Sequence, residues 1–165
     1  MFSSDYEDIL QDIDAIDPMQ YGRTRNYTNG AVTKLSPYIS RGVISTKQVA
    51  TAVLRKGYKP YQIEKFLKEL TWRDYFQQVW MAKGESINKD LKHVQEGVSN
   101  HAMPTALLHQ STGILAIDDA IKNLYETGYM HNHIRMYVAG IACNVAQSHW
   151  YNRLIGLHRY KLLLL

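Results

Sequence analysis

The chain has 165 residues, with 19 Lys and Arg against 15 Asp and Glu, and a single cysteine. That length suits one domain with a real core. One cysteine excludes an internal disulfide and a cysteine-based zinc cluster, and no stretch approaches the roughly 20 apolar residues of a membrane span.

Charge is unevenly spread along the chain. The first twenty residues carry six acids and no Lys or Arg, so the other 145 hold all 19 basic groups against nine acids, a balance of +10. Such a surface suits a polyanion, whether nucleic acid or a phosphate-bearing cofactor, and equally a solvated basic face; charge alone leaves both open. Met1 to Leu10 carry acids rather than a basic run followed by an apolar one, so no secretory signal is visible and a reducing, cytoplasmic setting is expected.

Apolar spacing is helical almost throughout, and no alternating strand pattern of useful length occurs, so the expected class is all-α. Residues about 5–16 read as a short acidic amphipathic helix. Residues 17–35, rich in Gly, Asn, Thr and Tyr, read as a loop. Pro37 suits a first helical turn, with Ser36 before it as N-cap. Ser45 caps a second helix that runs to Gly57. Pro60 opens a long helix to about Lys83. Residues 84–112 read as loop with short helical turns. A helix from about Leu115 to Thr127 stops at Gly128, and another runs from about Met130 to His149.

Three clusters along these elements carry chemistry. On the long helix, Ile63, Phe66, Leu67 and Leu70 form an ordinary core stripe. Glu69, Trp72, Arg73, Phe76 and Trp80 form a neighbouring stripe of one acid, one base and three aromatics. Rings beside charges suit a planar polar ligand, stacked on its face and hydrogen-bonded at its edge; an internal Glu–Arg pair covered by aromatics fits the same residues. On the last helix Asn132, Arg135 and Met136 share a face, with Ala139 and Gly140 one turn on. An amide and a guanidinium there suit an anion or a carboxylate, and a polar helix start at a surface remains the other reading. His131 and His133 are two apart and face different ways, so no zinc site is expected. From Tyr21 to Ser36, Arg23, Arg25, Thr28, Thr33, Lys34 and Ser36 accompany Gly22 and Gly30 before a helix start. Amides, hydroxyls and a cation at such a start hold phosphate, although no Gly-rich nucleotide signature is present.

Three runs resemble one family in order and separation. Lys34-Leu35-Ser36-Pro37-Tyr38-Ile39-Ser40-Arg41-Gly42-Val43-Ile44-Ser45 resembles the phosphate-binding segment of the photolyase/cryptochrome family. Glu69-Leu70-Thr71-Trp72-Arg73-Asp74-Tyr75-Phe76 resembles its Glu-Leu-x-Trp-Arg helix. Thr127-Gly128-Tyr129-Met130-His131-Asn132-His133-Ile134-Arg135-Met136 resembles its Thr-Gly-Trp-Met-His-Asn-Arg-x-Arg-Met segment. The resemblance covers about residues 20–152 and implies the family's helical FAD-binding domain.

It also implies roles. Tyr21 and Arg25 resemble residues beside the FAD phosphates, and Thr33, Lys34, Leu35 and Ser36 resemble the diphosphate cradle. Glu69 resembles the acid that hydrogen-bonds a pyrimidine dimer and supports its radical anion, and Trp72 the tryptophan packed on the flipped-out dimer. Arg73 sits where the family has an arginine near flavin or DNA. Asn132, Arg135 and Met136 resemble residues lining the flavin and dimer cavity, and Trp150 the middle tryptophan of an electron-transfer chain. The implied activity is FAD-dependent, light-driven repair of cyclobutane pyrimidine dimers in DNA, by a protein that is monomeric when complete, metal-free and not in a membrane; this fragment is expected to bind FAD weakly or not at all and to be inactive or impaired in repair. A cryptochrome-type photoreceptor and a non-catalytic basic helical module binding nucleic acid or protein are the alternatives.

The sequence departs from the family at Ala31-Val32-Thr33, where Gly-Thr-Ser is common, at Tyr129 for a tryptophan and at His133 for an arginine. No counterpart is seen of the family's amino-terminal α/β antenna domain or of its Asp-Gly-Asp or Asp-Ala-Asp segment facing the isoalloxazine ring. The expectation is a partial FAD-binding domain over 1–152 and a divergent tail over 153–165, read from a truncated or frameshifted frame. Asn152-Arg153-Leu154-Ile155-Gly156 can be encoded so that a one-base shift restores a family-like continuation. Resequencing the locus is expected to find photolyase-like codons downstream in a shifted frame; an intact frame ending at Leu165 with none downstream refutes the frameshift.

Overall fold

The computed structural model describes residues 2–151; the tail expected over 153–165 lies outside the described residues. The helices are α1 (Tyr6–Asp14), α2 (Pro18–Thr24), α3 (Ser36–Ser40), α4 (Thr46–Arg55), α5 (Pro60–Lys83), α6 (Thr105–Leu108), α7 (Leu115–Thr127) and α8 (Asn132–Gly140). A 3-10 turn spans Gly84–Asn88 and a π-helical turn Ile141–Val145. Among the described residues no β-strand forms; one isolated parallel bridge joins Asn100 and Ser148. No helix among them is long and apolar enough to cross a membrane. The all-α class expected from the sequence is therefore what the chain adopts. It divides into two compact units, the break falling between Ala82 and Lys83.

The first unit is built by capped helices around an aliphatic core. Asp5 caps α1 by accepting from the Glu7 amide at 2.8 Å. Ile9 and Ile13, one turn apart, then face inward while the acids of α1 stay in water. α1 packs on α4, whose start is a capping box: Ser45 and Gln48 each bond the other's backbone amide. Val49 and Val53 of α4 join Ile9, Ile13, Leu35, Tyr38, Ile63 and Phe66 in one buried cluster. Lys56, just past α4, closes the end of α1 by donating to the carbonyls of Asp14 at 2.5 Å and Ile16 at 2.7 Å. Those carbonyls have no helical partner of their own, and a cation also suits the negative end of a helix.

Two expectations for this unit need correction. Residues 17–35 are not all loop, because α2 occupies Pro18–Thr24. The Asp17 carboxylate accepts from the amides of Met19 and Gln20, both at 2.9 Å, and Pro18 stands in the first turn where its missing N–H costs nothing. Ser36 is not an N-cap; Leu35 holds that position and Ser36 is the first helical residue of α3. After α2 the chain folds back tightly. A Cβ on Gly30 would lie 1.9 Å from the Thr24 carbonyl oxygen, so only glycine fits there.

The second unit forms around Ile117, Ile121 and Leu124 of α7 and Ile134 and Val138 of α8, with Leu107 and Met130. α7 has the bounds read from the sequence, and Gly128 ends it in a left-handed conformation at φ +75°. Its start is held by Asp118, which accepts from the Thr112 hydroxyl at 2.7 Å, the Thr112 amide at 2.9 Å and the Gly113 amide at 3.2 Å. The expected helix over 130–149 is shorter than its pattern. His131 caps it through Nδ1, α8 begins at Asn132, and beyond Gly140 the backbone widens into the π turn before Gln147 turns left-handed at φ +45°.

The Thr112 hydroxyl, and after it the two loop amides, hold the Asp118 carboxyl below the usual aspartate range. A depressed folded value stabilises the fold above the unfolded value of 3.8, and that contribution is lost as pH falls through the folded one. Asp118→Ala is expected to lower the urea midpoint at neutral pH, and the gap from the parent is expected to narrow in acid below 3.8. A gap that stays constant across that window contradicts the role given to this carboxylate.

Candidate functional site

Burial of Ile63 and Phe66 turns the neighbouring stripe of α5 away from the core. Trp72, Phe76 and Trp80 on that stripe are about half exposed, at 54%, 51% and 49%. Trp72 and Phe76, one turn apart, stack with centroids 5.8 Å apart and planes at 26°; Tyr75 lies edge-on to both. The result is a small aromatic platform facing out of the unit.

One turn before it, Glu69 is half-buried and paired. Arg25, the C-cap of α2, donates from Nε at 3.2 Å and from Nη2 at 3.0 Å, both to Glu69 Oε1. Glu69 Oε2 takes no part in that pair. The sequence reading had Arg25 beside phosphate and Glu69 beside substrate; the fold joins the two across 44 residues. Arg73 reaches the last residue of α3, donating from Nη2 to Ser40 Oγ at 2.5 Å. Burial pushes the Arg73 guanidinium down from its usual value and the adjacent Asp74 pulls it back up. Asp74 in turn accepts from the Thr46 hydroxyl at the start of α4, at 2.9 and 3.0 Å.

The segment Thr33–Ser36 leads into α3. Thr33 Oγ1 accepts from the Leu35 amide at 3.4 Å, and the exposed Lys34 takes a left-handed backbone at φ +54°. Leu35 is 1% exposed, so its side chain belongs to the core and only its main chain could serve a ligand. As N-cap, leucine brings no acceptor, and the first turn of α3 has no side-chain cap. Tyr21 packs edge-on against Phe66, centroids 5.0 Å apart.

In the second unit, Asn132 and Met136 lie exposed one turn apart on α8. Arg135 is half-buried and turns back, donating from Nη2 to the Met130 carbonyl at 3.1 Å. Burial raises the phenol of Tyr129, with Arg135 opposing. Trp150 sits in a polar clamp. Its indole Nε1–H donates to Asp90 Oδ1, and its amide donates to Gln95 Oε1 at 2.8 Å. The Gln95 amide donates to Asp90 Oδ2 at 3.0 Å, and Gln95 Nε2 to the Ser148 carbonyl at 3.1 Å. The indole hydrogen bond, then the Gln95 amide, hold the Asp90 carboxyl below the usual range. His149 stacks on Trp150, and His101 on His149. Sequence reasoning singled out Trp150 but neither Asp90 nor Gln95; each lies more than fifty positions away, and no local spacing announces such a contact.

A family model described as the FAD binding domain of DNA photolyase matches residues 66–158, more than half of the chain. The chain belongs to the FAD-binding domain family of DNA photolyases. Its cofactor is FAD. The match covers Glu69, Trp72, Arg73, Asn132, Arg135, Met136 and Trp150, and it ends within the tail read as divergent. Among relatives, the deoxyribodipyrimidine photo-lyase of Vibrio cholerae is 25% identical over 161 residues, covering 90% of this chain and 34% of that protein. Those of Alkalihalophilus pseudofirmus and a Synechococcus species are 29% identical over 110 residues and 30% over 129, covering 65% and 72% of this chain and 23% and 27% of theirs. A bacterial class III photolyase from Agrobacterium tumefaciens superposes with a TM-score of 0.73 at 22% identity, over 90% of this chain and 33% of that structure, and shares the helical fold. The chain thus spans about a quarter to a third of the length of these photolyases.

The donors in the first unit fit the cofactor's diphosphate. An exposed ammonium at Lys34, hydroxyls at Thr33 and Ser36, and a helix start without a side-chain cap are the groups a phosphate needs. The Arg25–Glu69 pair, about a third exposed at each end, adds less than about 1 kcal/mol to the fold by the usual yield of solvent-facing pairs. A double-mutant cycle on urea unfolding, with Arg25→Gln and Glu69→Gln, is expected to return a coupling below that bound; a larger value makes the pair a main stabiliser of the unit.

Proposed function

We propose that the chain serves in light-driven repair of cyclobutane pyrimidine dimers in DNA, with FAD as the light-absorbing cofactor. One observation carries this reading: a half-exposed Trp72–Phe76 stack stands one turn from a carboxylate with one oxygen committed and the other outside the pair. Such a surface suits an extruded pair of bases, stacked on its face and hydrogen-bonded at its edge. The relatives named deoxyribodipyrimidine photo-lyase support the same substrate.

In this reading Lys34, Thr33, Ser36 and the amides at the start of α3 hold the diphosphate. Arg25 orients Glu69 through Oε1, which leaves Oε2 for the substrate. Trp72 supplies the stacking face. Glu69 hydrogen bonds strengthen as charge develops on the dimer, which places its effect in the reaction rather than in binding. Asn132 and Met136 offer an amide and a thioether from α8. Trp150 passes an electron toward the flavin. When bound, FAD supplies light absorption and the electron that splits the dimer.

The test is illumination of the FAD-loaded protein with dimer-containing DNA, reading dimers lost per photon. Loss of dimers is the expected result. Flavin binding with no repair leaves a cryptochrome-type photoreceptor, and no flavin binding leaves a non-catalytic module. Trp72→Ala removes a stack worth roughly 1–3 kcal/mol per base, so affinity for dimer DNA is expected to fall about ten- to hundredfold. Flavin content should stay near the parent's. A variant that loses flavin but binds dimer DNA normally overturns the assignment of this platform to substrate.

A further inference from the structure

Trp150 is tied down more thoroughly than an indole at a chain turn requires. An indole N–H is a donor only, and water or any carbonyl satisfies it. Here it meets a carboxylate that is itself fixed, since Asp90 Oδ2 accepts from the Gln95 amide at 3.0 Å. The ring is held from the other sides too. His149 stacks on it at 5.9 Å between centroids, Tyr151 lies edge-on at 5.6 Å, and the Trp150 amide is bonded to Gln95 Oε1. The segment carrying Asp90 is clamped to the segment carrying Trp150 by further bonds. The Ser99 amide donates to the Gln147 carbonyl at 2.7 Å, and the His149 amide to the Asn100 carbonyl at 2.8 Å.

This geometry does nothing for an indole at rest, whose N–H is far too weak an acid to give a proton to a carboxylate. It matters once the ring has lost an electron, because an indole radical cation is about as acidic as a carboxylic acid and can pass its proton to a carboxylate already hydrogen-bonded to it. We infer that Asp90 is the proton acceptor for Trp150 when the indole gives up an electron. The inference rests on the reading above that Trp150 passes an electron toward the flavin.

The step balances as follows. One electron leaves the Trp150 ring for the photoexcited, oxidised flavin. The Nε1–H bond breaks, and its proton forms an O–H bond on Asp90 Oδ1. A neutral indolyl radical and a neutral carboxylic acid remain, and the single negative charge formerly on Asp90 is matched by the electron now on the flavin. Moving the proton removes the positive charge that would draw the electron back. His149 and His101, stacked in line beyond the ring, supply no acceptor at Nε1, which is already taken by Asp90. Asp90 is therefore a positioning and proton-accepting partner of Trp150.

Transient absorption tests this in two arms, since the indole radical cation and the neutral indolyl radical have distinct bands. In the first arm, the FAD-loaded protein is flashed. In the second, the flavin-free chain with Trp72→Phe and Trp80→Phe, which leaves Trp150 as its one indole, is oxidised by a flash-generated ruthenium polypyridyl oxidant. The neutral radical is expected to form promptly in both arms with Asp90 intact. In Asp90→Asn the radical cation is expected to persist, its decay to the neutral form slowed by on the order of a hundredfold, the low end of what a positioned base contributes. Gln95→Ala loosens the same clamp but leaves the carboxylate, and is expected to behave as the parent.

Asp90→Asn deprotonating as fast as the parent, or Gln95→Ala slowing it equally, overturns the inference and makes the clamp structural. An Asp90-dependent step seen with the ruthenium oxidant and no tryptophan radical from the flavin overturns the electron-transfer reading of Trp150 while leaving Asp90 as its acceptor.

Discussion

The rotation of α5 about its own axis is the constraint on which the first unit depends. Ile63 and Phe66 are 2% and 3% exposed, and their burial leaves a 24-residue helix one way to lie. At 3.6 residues per turn, fixing one face fixes all the others. Glu69 comes to lie where Arg25 reaches it, Arg73 where Ser40 does, and Trp72 and Phe76 face outward as a stacked pair. A polar site on a helix is thus aligned by the apolar residues of the neighbouring face. The side chains of α5 also do double service as ties. Through Arg73 and Asp74 the helix grips α3 and α4, so the start of α4, the end of α3 and the aromatic platform are tied to one helix.

Much of this was legible in the sequence wherever a local rule was decisive. Ser45, Pro60 and Gly128 set helix ends, and the structure puts ends at those places. The core stripe of α5 was equally plain, since periodicity needs no partner to be seen. Asp17-Pro18 carried the same kind of signal for α2 but was outweighed by the Gly, Asn and Tyr around it. Near Leu35 the pattern misled differently. Serine is the better cap by chemistry, yet the core claims Leu35, and the helix starts one residue earlier than the cap rule alone would put it.

What the sequence hid was distance and irregularity. Nothing in the spacing of Arg25 and Glu69 says they meet, or that Trp150 finds Asp90 sixty positions back. Such pairings are made by the path of the chain. The break after Gly140 was hidden for another reason. The apolar rhythm runs on through Ile141, Ala142 and Val145, while the backbone widens to a π turn and Ser148 is wholly buried. That widening lets residues 146–150 leave the helix axis and bond to residues 90–100, which is how Trp150 acquires its partners. The family match explains why these segments occur together, and the hydrogen bonds explain what each contributes.

Gly30 has a consequence in genetics. Every single-base change in a glycine codon that alters the amino acid introduces a side chain, and here the first carbon of any side chain would collide with the backbone of Thr24. The collision falls at the end of α2, next to the residue that holds Glu69. The codon therefore has no conservative neighbour. An allele changed only at that position keeps its length, its transcript and every polar residue of the site, and separates loss of shape from loss of chemistry in a living cell.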